Sequence, residues 1–197
     1  IKMEKINSTA FVLEIDNIDT DQIIPAKFLK STNKEGFGEW LFYNWRYDEN
    51  NNPKQDFSFL QYQPESKILI AGKNFGCGSS REHAAWAIAD YGIEVVISSQ
   101  FADIFKGNAL NNGILPITVS ESCLKALTKY FQREKTCAIE IDIEAQSMKV
   151  DAKDIFINIL FDIDPLKKKF ILTGMSEIEY LVQQKEEIIN FEKSHIL

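Results

Sequence analysis

The sequence has no apolar stretch approaching the ~20 residues that a membrane-spanning helix needs. Its opening residues, Ile1-Lys2-Met3-Glu4-Lys5, do not lead into the apolar core of a secretory signal, so a cytoplasmic protein is expected. Basic residues are in deficit: 22 Lys plus Arg against 29 Asp plus Glu leave a formal charge of -7. A nucleic-acid binder needs a basic footprint to release counterions from phosphates, and that class is set aside. A local basic pocket for an acidic small molecule is not. Cysteine is scarce: Cys77, Cys123 and Cys137 are an odd number without Cys-x-x-Cys spacing. Neither a disulfide framework nor an iron–sulfur ligand set is expected from them. With only His83 and His195 to add, a transition-metal site is poorly supplied as well. No metal and no cofactor are expected on this chain.

What is present suits a globular protein. Hydrophobic residues at 45% and charged residues at 26% give the balance needed for a real core. No internal repeat or flexible linker interrupts the 197 residues, so one domain over 1–197 with a helical C-terminal extension is expected. From Thr9 to Asp16, Phe11, Leu13 and Ile15 alternate with Val12, Glu14 and Asp16, as in a strand. Ile18-Asp19-Thr20-Asp21 then favours a turn or helix cap, and Pro25 a short helix start.

Farther on, Ile68–Ala71 reads as a buried strand, 81–91 as a largely buried helix closed by Gly92, and 93–98 as a strand. A helix over 101–111 and a strand over 114–119 follow. This alternation points to a parallel-strand α/β core with flanking helices. A helix over 121–133, a half-exposed strand over 139–143 with a partner at 148–150, and a terminal helix from Ser176 complete the pattern. Residues 31–58 differ. Gly36, Gly38, Asn50–Asn52 and Pro53 punctuate the aromatics Trp40, Phe42, Tyr43, Trp45 and Tyr47. So many aromatics predict an ordered excursion and not a disordered loop.

The segment richest in chemistry is Gly76-Cys77-Gly78-Ser79-Ser80-Arg81-Glu82-His83, between a buried strand and a buried helix. Two glycines let the backbone turn sharply and approach a ligand. A helix start nearby offers free N–H groups, and Arg81 adds a fork suited to a carboxylate. Together they predict a pocket for a carboxylate- or phosphate-bearing small molecule. A Walker loop is not present, because Ser79 stands where Lys is required, and the dinucleotide fingerprint fails at Arg81. Cys77 reads more readily as a small turn residue than as a nucleophile. Ser79 is either a helix N-cap or a catalytic hydroxyl, and letters alone leave both open. Asp21 is balanced between a turn residue and a site residue, and His83 reads as a packed helix residue.

Phe75-Gly76-Cys77-Gly78-Ser79-Ser80-Arg81-Glu82-His83-Ala84 resembles the signature of the swivelling domain of the aconitase family. So does the earlier Asp19-Thr20-Asp21-Gln22-Ile23-Ile24-Pro25. The later Ser99-Gln100-Phe101-Ala102-Asp103-Ile104-Phe105, with Gly107-Asn108, Asn111-Asn112 and Leu115-Pro116, keeps the family's order. Gly36-Phe37-Gly38, Leu41-Phe42 and Trp45-Arg46 are similar to the branch formed by bacterial isopropylmalate dehydratase small subunits. The likeness is strong over about residues 8–118 and looser beyond. Ala85 departs from it, since the family commonly has Pro there; a preset φ is lost with little consequence for chemistry.

The resemblance implies an aconitase-type swivelling β/β/α fold and a hydro-lyase subunit that isomerises 2-isopropylmalate to 3-isopropylmalate by dehydration and rehydration. Ser79 then matches the base that takes a proton from substrate carbon. Ser80 and Arg81 match positions that contact substrate carboxylate, and Asp21 with Thr20 an active-site position on the other loop. Phe37, Leu41, Phe42 and Trp45 stand as a substrate-selectivity loop offering an apolar wall, or else as packing residues. Arg46 binds a carboxylate or pairs with an acidic neighbour. A large subunit carrying a [4Fe-4S] cluster is the implied partner and a small dicarboxylate the implied substrate, so the chain alone should be inactive. Subunits acting on citraconate or homoaconitate, or a non-catalytic anion-binding module, are the rival readings.

Overall fold

The computed structural model describes residues 2–30, 35–54, 57 and 65–195. Among the described residues, eight strands form two four-stranded sheets. The first sheet holds β1 (Lys5–Ser8), β6 (Ile139–Asp142), β7 (Ser147–Ala152) and β8 (Ile155–Leu160), in that order. All its pairings are antiparallel. The second holds β2 (Ala10–Leu13), β3 (Ile68–Ala71), β4 (Val95–Ser98) and β5 (Leu115–Thr118), all parallel. One residue, Thr9, separates β1 from β2, so the chain changes sheet there. The expected strand over 9–16 is shorter than its alternation suggested. Ile15 leaves the sheet and is exposed, with its N–H on Leu13 O at 2.8 Å.

Period-2 geometry sorts the parallel strands' side chains onto two faces. Ile68, Ile70, Val95, Ile97, Leu115 and Ile117 join Ile139, Ile141 and Met148 of the antiparallel sheet in one core. Leu124, Leu127 and Phe131 of helix α5 (Glu121–Phe131) close that core. Phe11, Leu69, Ala71 and Val96 face the other way. They meet Ala84, Ala85, Ala87 and Ile88 of α3 (Glu82–Asp90) and Phe105 and Ala109 of α4 (Asp103–Asn111). The result is sheet, sheet, helix, the β/β/α layering and parallel-strand core that the alternation pointed to. Pro116 is accommodated because β5 is an edge strand, where a missing N–H costs no ladder bond.

Three elements lie outside the sequence reading. These are β1, β8 and α6 (Pro165–Thr173). In β8, Ile155, Ile157 and Ile159 turn half inward while Phe156 and Leu160 stay exposed. Both phases carry large apolar residues, so the alternation is masked. Helix α6 has the usual end signals: Asp164 as N-cap, Pro165 in the first turn and Gly174 at φ 72° after the end. The terminal helix divides at Gln184 into α7 (Glu177–Gln183) and α8 (Lys185–His195). The capping box at its start is present, with Ser176 N–H on Glu179 Oε2 at 2.7 Å and Glu179 N–H on Ser176 Oγ at 3.2 Å.

The aromatic excursion lies in part outside the described residues, at 31–34, 55, 56 and 58. Its described portion forms a 3-10 turn at Phe37–Trp40 and a short helix, α2 (Tyr43–Arg46). Phe37, Leu41 and Phe42 are each 0% exposed, within the core under α3. Trp45 is half-buried and stacks on Phe42 at 5.2 Å. Of the two readings given for these residues, packing accounts for Phe37, Leu41 and Phe42, whose side chains lie in the interior. Trp45 likewise commits one ring face to Phe42. Arg46 is 8% exposed and, among the described residues, donates to carbonyls and a hydroxyl and not to a carboxylate. Its Nη1 donates to the carbonyls of Gly38, Glu39 and Leu41 at 3.2, 3.0 and 3.1 Å, tying the turn down.

Candidate active site

The site grows from the carboxyl ends of β2, β3 and β4, the edge at which a parallel sheet leaves its turns free to meet a ligand. The turn after β2 and the turn after β3 are bonded to each other. Asn17 N–H donates to Lys73 O at 2.8 Å, Gly76 N–H to Ile18 O at 2.7 Å and Thr20 N–H to Cys77 O at 2.9 Å. Asp16 Oδ1 accepts from Lys73 N–H at 2.7 Å. The turn after β4 is held as firmly. Phe75 N–H donates to Gln100 O at 3.0 Å, Ala102 N–H to Phe75 O at 3.1 Å and Ser98 Oγ to Gly72 O at 2.6 Å.

Glycine is required at two points of this arrangement. Gly76 has φ +77°, and a Cβ there would sit 2.2 Å from the Phe105 ring. A Cβ on Gly72 would meet Ile15 O at 2.2 Å. Close approach of turn to turn and of turn to α4 depends on both.

On this frame Asp19 caps α1 (Thr20–Ile23). Its Oδ1 accepts from Gln22 N–H at 2.7 Å and its own N–H donates to Gln22 Oε1 at 2.9 Å. The cap fixes Thr20, whose hydroxyl donates to Ser79 O at 2.9 Å. Asp21, next along, forms an ion pair with Arg81. Thr20, Asp21, Ser79 and Arg81 are thus joined across the two turns. Ser80 is exposed beside Ser79.

Helix α3 begins at Glu82 with Arg81 as N-cap, and no side chain caps it. Ser79 therefore is not the helix cap, and of its two sequence readings that one is withdrawn. Burial, and then the charge of Asp19, push the Cys77 thiol pKa up, while its Sγ contacts Asn17 O at 3.4 Å. A raised pKa leaves less thiolate, which favours the turn-residue reading of Cys77 over a nucleophile. His83 packs its ring beside Trp86 at 4.5 Å and Phe37 at 5.5 Å.

A cavity of about 230 Å³ opens at this junction, lined by Thr20, Ser79, Arg81, Asp103, Ile104 and Asn108 among others. It offers the Arg81 guanidinium, two hydroxyls and an amide beside one carboxylate, Asp103, and the guanidinium and hydroxyls suit a small carboxylic acid. In the sequence, Asp103, Ile104 and Asn108 stand out only as letters of a motif; their signal is that motif's spacing along α4. A larger cavity of about 430 Å³, between α4, α6 and α7, is lined by Leu110, Phe170, Met175 and Ile178. Glu177 is its one ionisable lining residue, so it presents no cation to an anion. Among the described residues no three His, Cys, Asp or Glu side chains are grouped as metal ligands.

The sequence profile of the aconitase C-terminal domain family matches residues 2–122. The chain is 50% identical over 197 residues to the 3-isopropylmalate dehydratase small subunit of Christiangramia forsetii, covering 97% of this chain and 94% of that one. To the protein of that name from Karelsulcia muelleri it is 51% identical over 189 residues, covering 96% and 95%. The crystal structure of 3-isopropylmalate dehydratase from Methanocaldococcus jannaschii superposes with a TM-score of 0.65 at 28% identity, covering 96% of this chain and 99% of that one.

Proposed function

The chain belongs to the aconitase C-terminal domain family, and on that premise we propose that it works as the small subunit of a 3-isopropylmalate dehydratase. The reaction is isomerisation of 2-isopropylmalate to 3-isopropylmalate through 2-isopropylmaleate, a step of leucine biosynthesis, in the cytoplasm. The active site forms between this chain and a large subunit. One observation supports the reading above others: Ser79 and Arg81 line a single small cavity with Thr20, at the carboxyl ends of the parallel strands.

Ser79 is the base. It takes the proton from substrate carbon as water is lost and returns it when water adds back. A free serine hydroxyl is too weakly acidic for this work. Arg81, two residues away and lining the same cavity, supplies the positive field that sustains an alkoxide. Its planar fork also receives a substrate carboxylate. Ser80 and Thr20 add hydroxyl contacts, and Asp21 orients the guanidinium through the ion pair. Departure of the hydroxyl calls for a Lewis acid, which a [4Fe-4S] cluster on the large subunit supplies when bound. The described residues of this chain offer no ligand set for it, and this chain's own side chains bind the substrate and move its proton.

Anaerobic co-expression with the large subunit, followed by hydration of 2-isopropylmaleate, tests the reading. The expected result is turnover that needs both chains. A cluster-loaded complex that rejects this substrate but hydrates citraconate or homoaconitate would keep the hydro-lyase and overturn the substrate.

A further inference from the structure

The polar side chains that line the Ser79 cavity can be sorted by the protons they have left to give a ligand. Thr20 is 2% exposed, and its one hydroxyl proton goes to Ser79 O at 2.9 Å, which leaves it lone pairs only. Arg81 shares its guanidinium with Asp21. Asp103 is a carboxylate and only accepts. Ser79, in the role proposed above, is without its proton when it acts. Asn108 is the exception. Its backbone carbonyl accepts from Asn112 Nδ2 at 2.9 Å, but its half-buried side-chain amide makes no hydrogen bond among the described residues. An amide carries two N–H donors. Resting on the dehydratase reading above, we infer that Asn108 is a further substrate-binding residue, whose Nδ2 donates to a substrate carboxylate in the Ser79 cavity.

Its position is fixed with respect to the chemistry. Helix α4 turns Phe105 and Ala109, 2% and 0% exposed, into the core, and Asn108 belongs to the face that lines the cavity. The first turn of α4 is tied to the Ser79 turn through the Phe75, Gln100 and Ala102 backbone bonds and through the Phe105 ring against Gly76. The amide is thus carried on a helix and not on a loop, at a place set relative to Ser79. A half-buried amide without a partner is a cost to the free chain, and a carboxylate arriving in the cavity removes it. Carboxylates are also what 2-isopropylmalate, its isomer and the intermediate between them have in common. The contact therefore holds substrate and transition state alike, and its weight falls on binding.

The test uses the complete two-subunit enzyme with Asn108→Ala and Asn108→Asp. It reads hydration of 2-isopropylmaleate and of methylmaleate, together with calorimetric binding of 2-isopropylsuccinate, a saturated dicarboxylate that cannot be hydrated. Asn108→Ala should raise KM, and the dissociation constant of the saturated analogue, by about 10–100-fold, the worth of one hydrogen bond to a charged group. The turnover number should change far less. Asn108→Asp keeps the shape but brings a charge and no N–H to a carboxylate, so it should bind more weakly than the alanine variant. If Asn108 merely packs on its helix, the isosteric Asp is the milder change, and that order overturns the inference. Unaltered KM and analogue binding in Asn108→Ala overturn it too. So does loss of the large subunit on sedimentation of the variant complexes, which would make Asn108 a subunit contact. A wild type that hydrates only methylmaleate overturns the isopropyl substrate and not Asn108, whose partner is a carboxylate that both maleates carry.

Discussion

The two sheets have four strands each, yet they are used in different ways. The parallel sheet is covered on both faces, and β3 and β4 are buried at every residue. Its faces are thereby closed to ligands, and only its strand ends are free. All of the proposed chemistry lies on turns following those ends. The antiparallel sheet covers one face of its neighbour and leaves Phe156 and Leu160 of β8 exposed at 68% and 78%. It contributes none of the residues lining the Ser79 cavity. The contrast teaches that burial on two sides, and not sheet size, marks the scaffold that carries the site.

Substitutions can break or sharpen that contrast. Ser79→Ala should lower kcat of the two-subunit enzyme by ~10²–10⁴-fold, the usual contribution of a positioned base. Since Ser79 is exposed, the urea midpoint should not move. Gly76→Ala strikes the frame instead. With φ +77° and the Phe105 ring 2.2 Å from the new Cβ, it should cost about 2–4 kcal/mol of stability, read by urea unfolding. Arg81→Lys should cost about 1.5–3 kcal/mol of kcat/KM, with KM and kcat both worsened, because a point charge cannot reproduce the fork.

On the antiparallel side effects should be small. Leu160→Ser should change stability by less than about 0.5 kcal/mol and activity not at all. Asp142, the last residue of β6, gives the subtlest case. Its Oδ1 accepts from Ala145 N–H at 2.8 Å and Lys5 lies 3.0 Å from its carboxylate, and these, in that order, hold its pKa below the ordinary carboxylate value. A depressed folded-state pKa gives stability that is present above the unfolded value, near pH 4, and lost as pH falls through the folded one. The wild-type margin over Asp142→Asn should therefore be visible at pH 7 and shrink under acid. Persistence of the margin at pH 2 would show that the charge is not its source.

The two sides also differ in how far their sequence can be read. Gly76-Cys77-Gly78-Ser79 and Asp19-Thr20-Asp21 are legible because their constraints are local: positive φ, a side-chain cap, a turn that only glycine permits. The buried strands 68–71 and 95–98 announce themselves by unbroken apolar runs. The excursion is legible as ordered but not in its direction. Whether Phe37 faces a ligand or a core depends on Gly38, whose N–H bonds Asp90 Oδ2 at 2.8 Å and where a Cβ would sit 2.7 Å from Tyr91 N. That is a contact across 52 residues, and no local pattern encodes it. Strand β8 escapes the reading for a different reason: a solvent face bearing Phe156 and Leu160 breaks the polar-out rule on which the reading depends.

If Arg81 receives a substrate carboxylate as proposed, its ion pair with Asp21 sets a threshold for what the site accepts. A carboxylate anchored on a capped turn confronts the guanidinium at an effective concentration that free anions do not match. Chloride or a simple monocarboxylate, arriving with one charge and few contacts, has little to offer in exchange. A ligand that brings two carboxylates and an apolar arm can compete, because the contacts it makes elsewhere hold it in place while the guanidinium changes partners. On that proposal the pair acts as a tariff on anions, levied by a side chain that the chain itself keeps at the door.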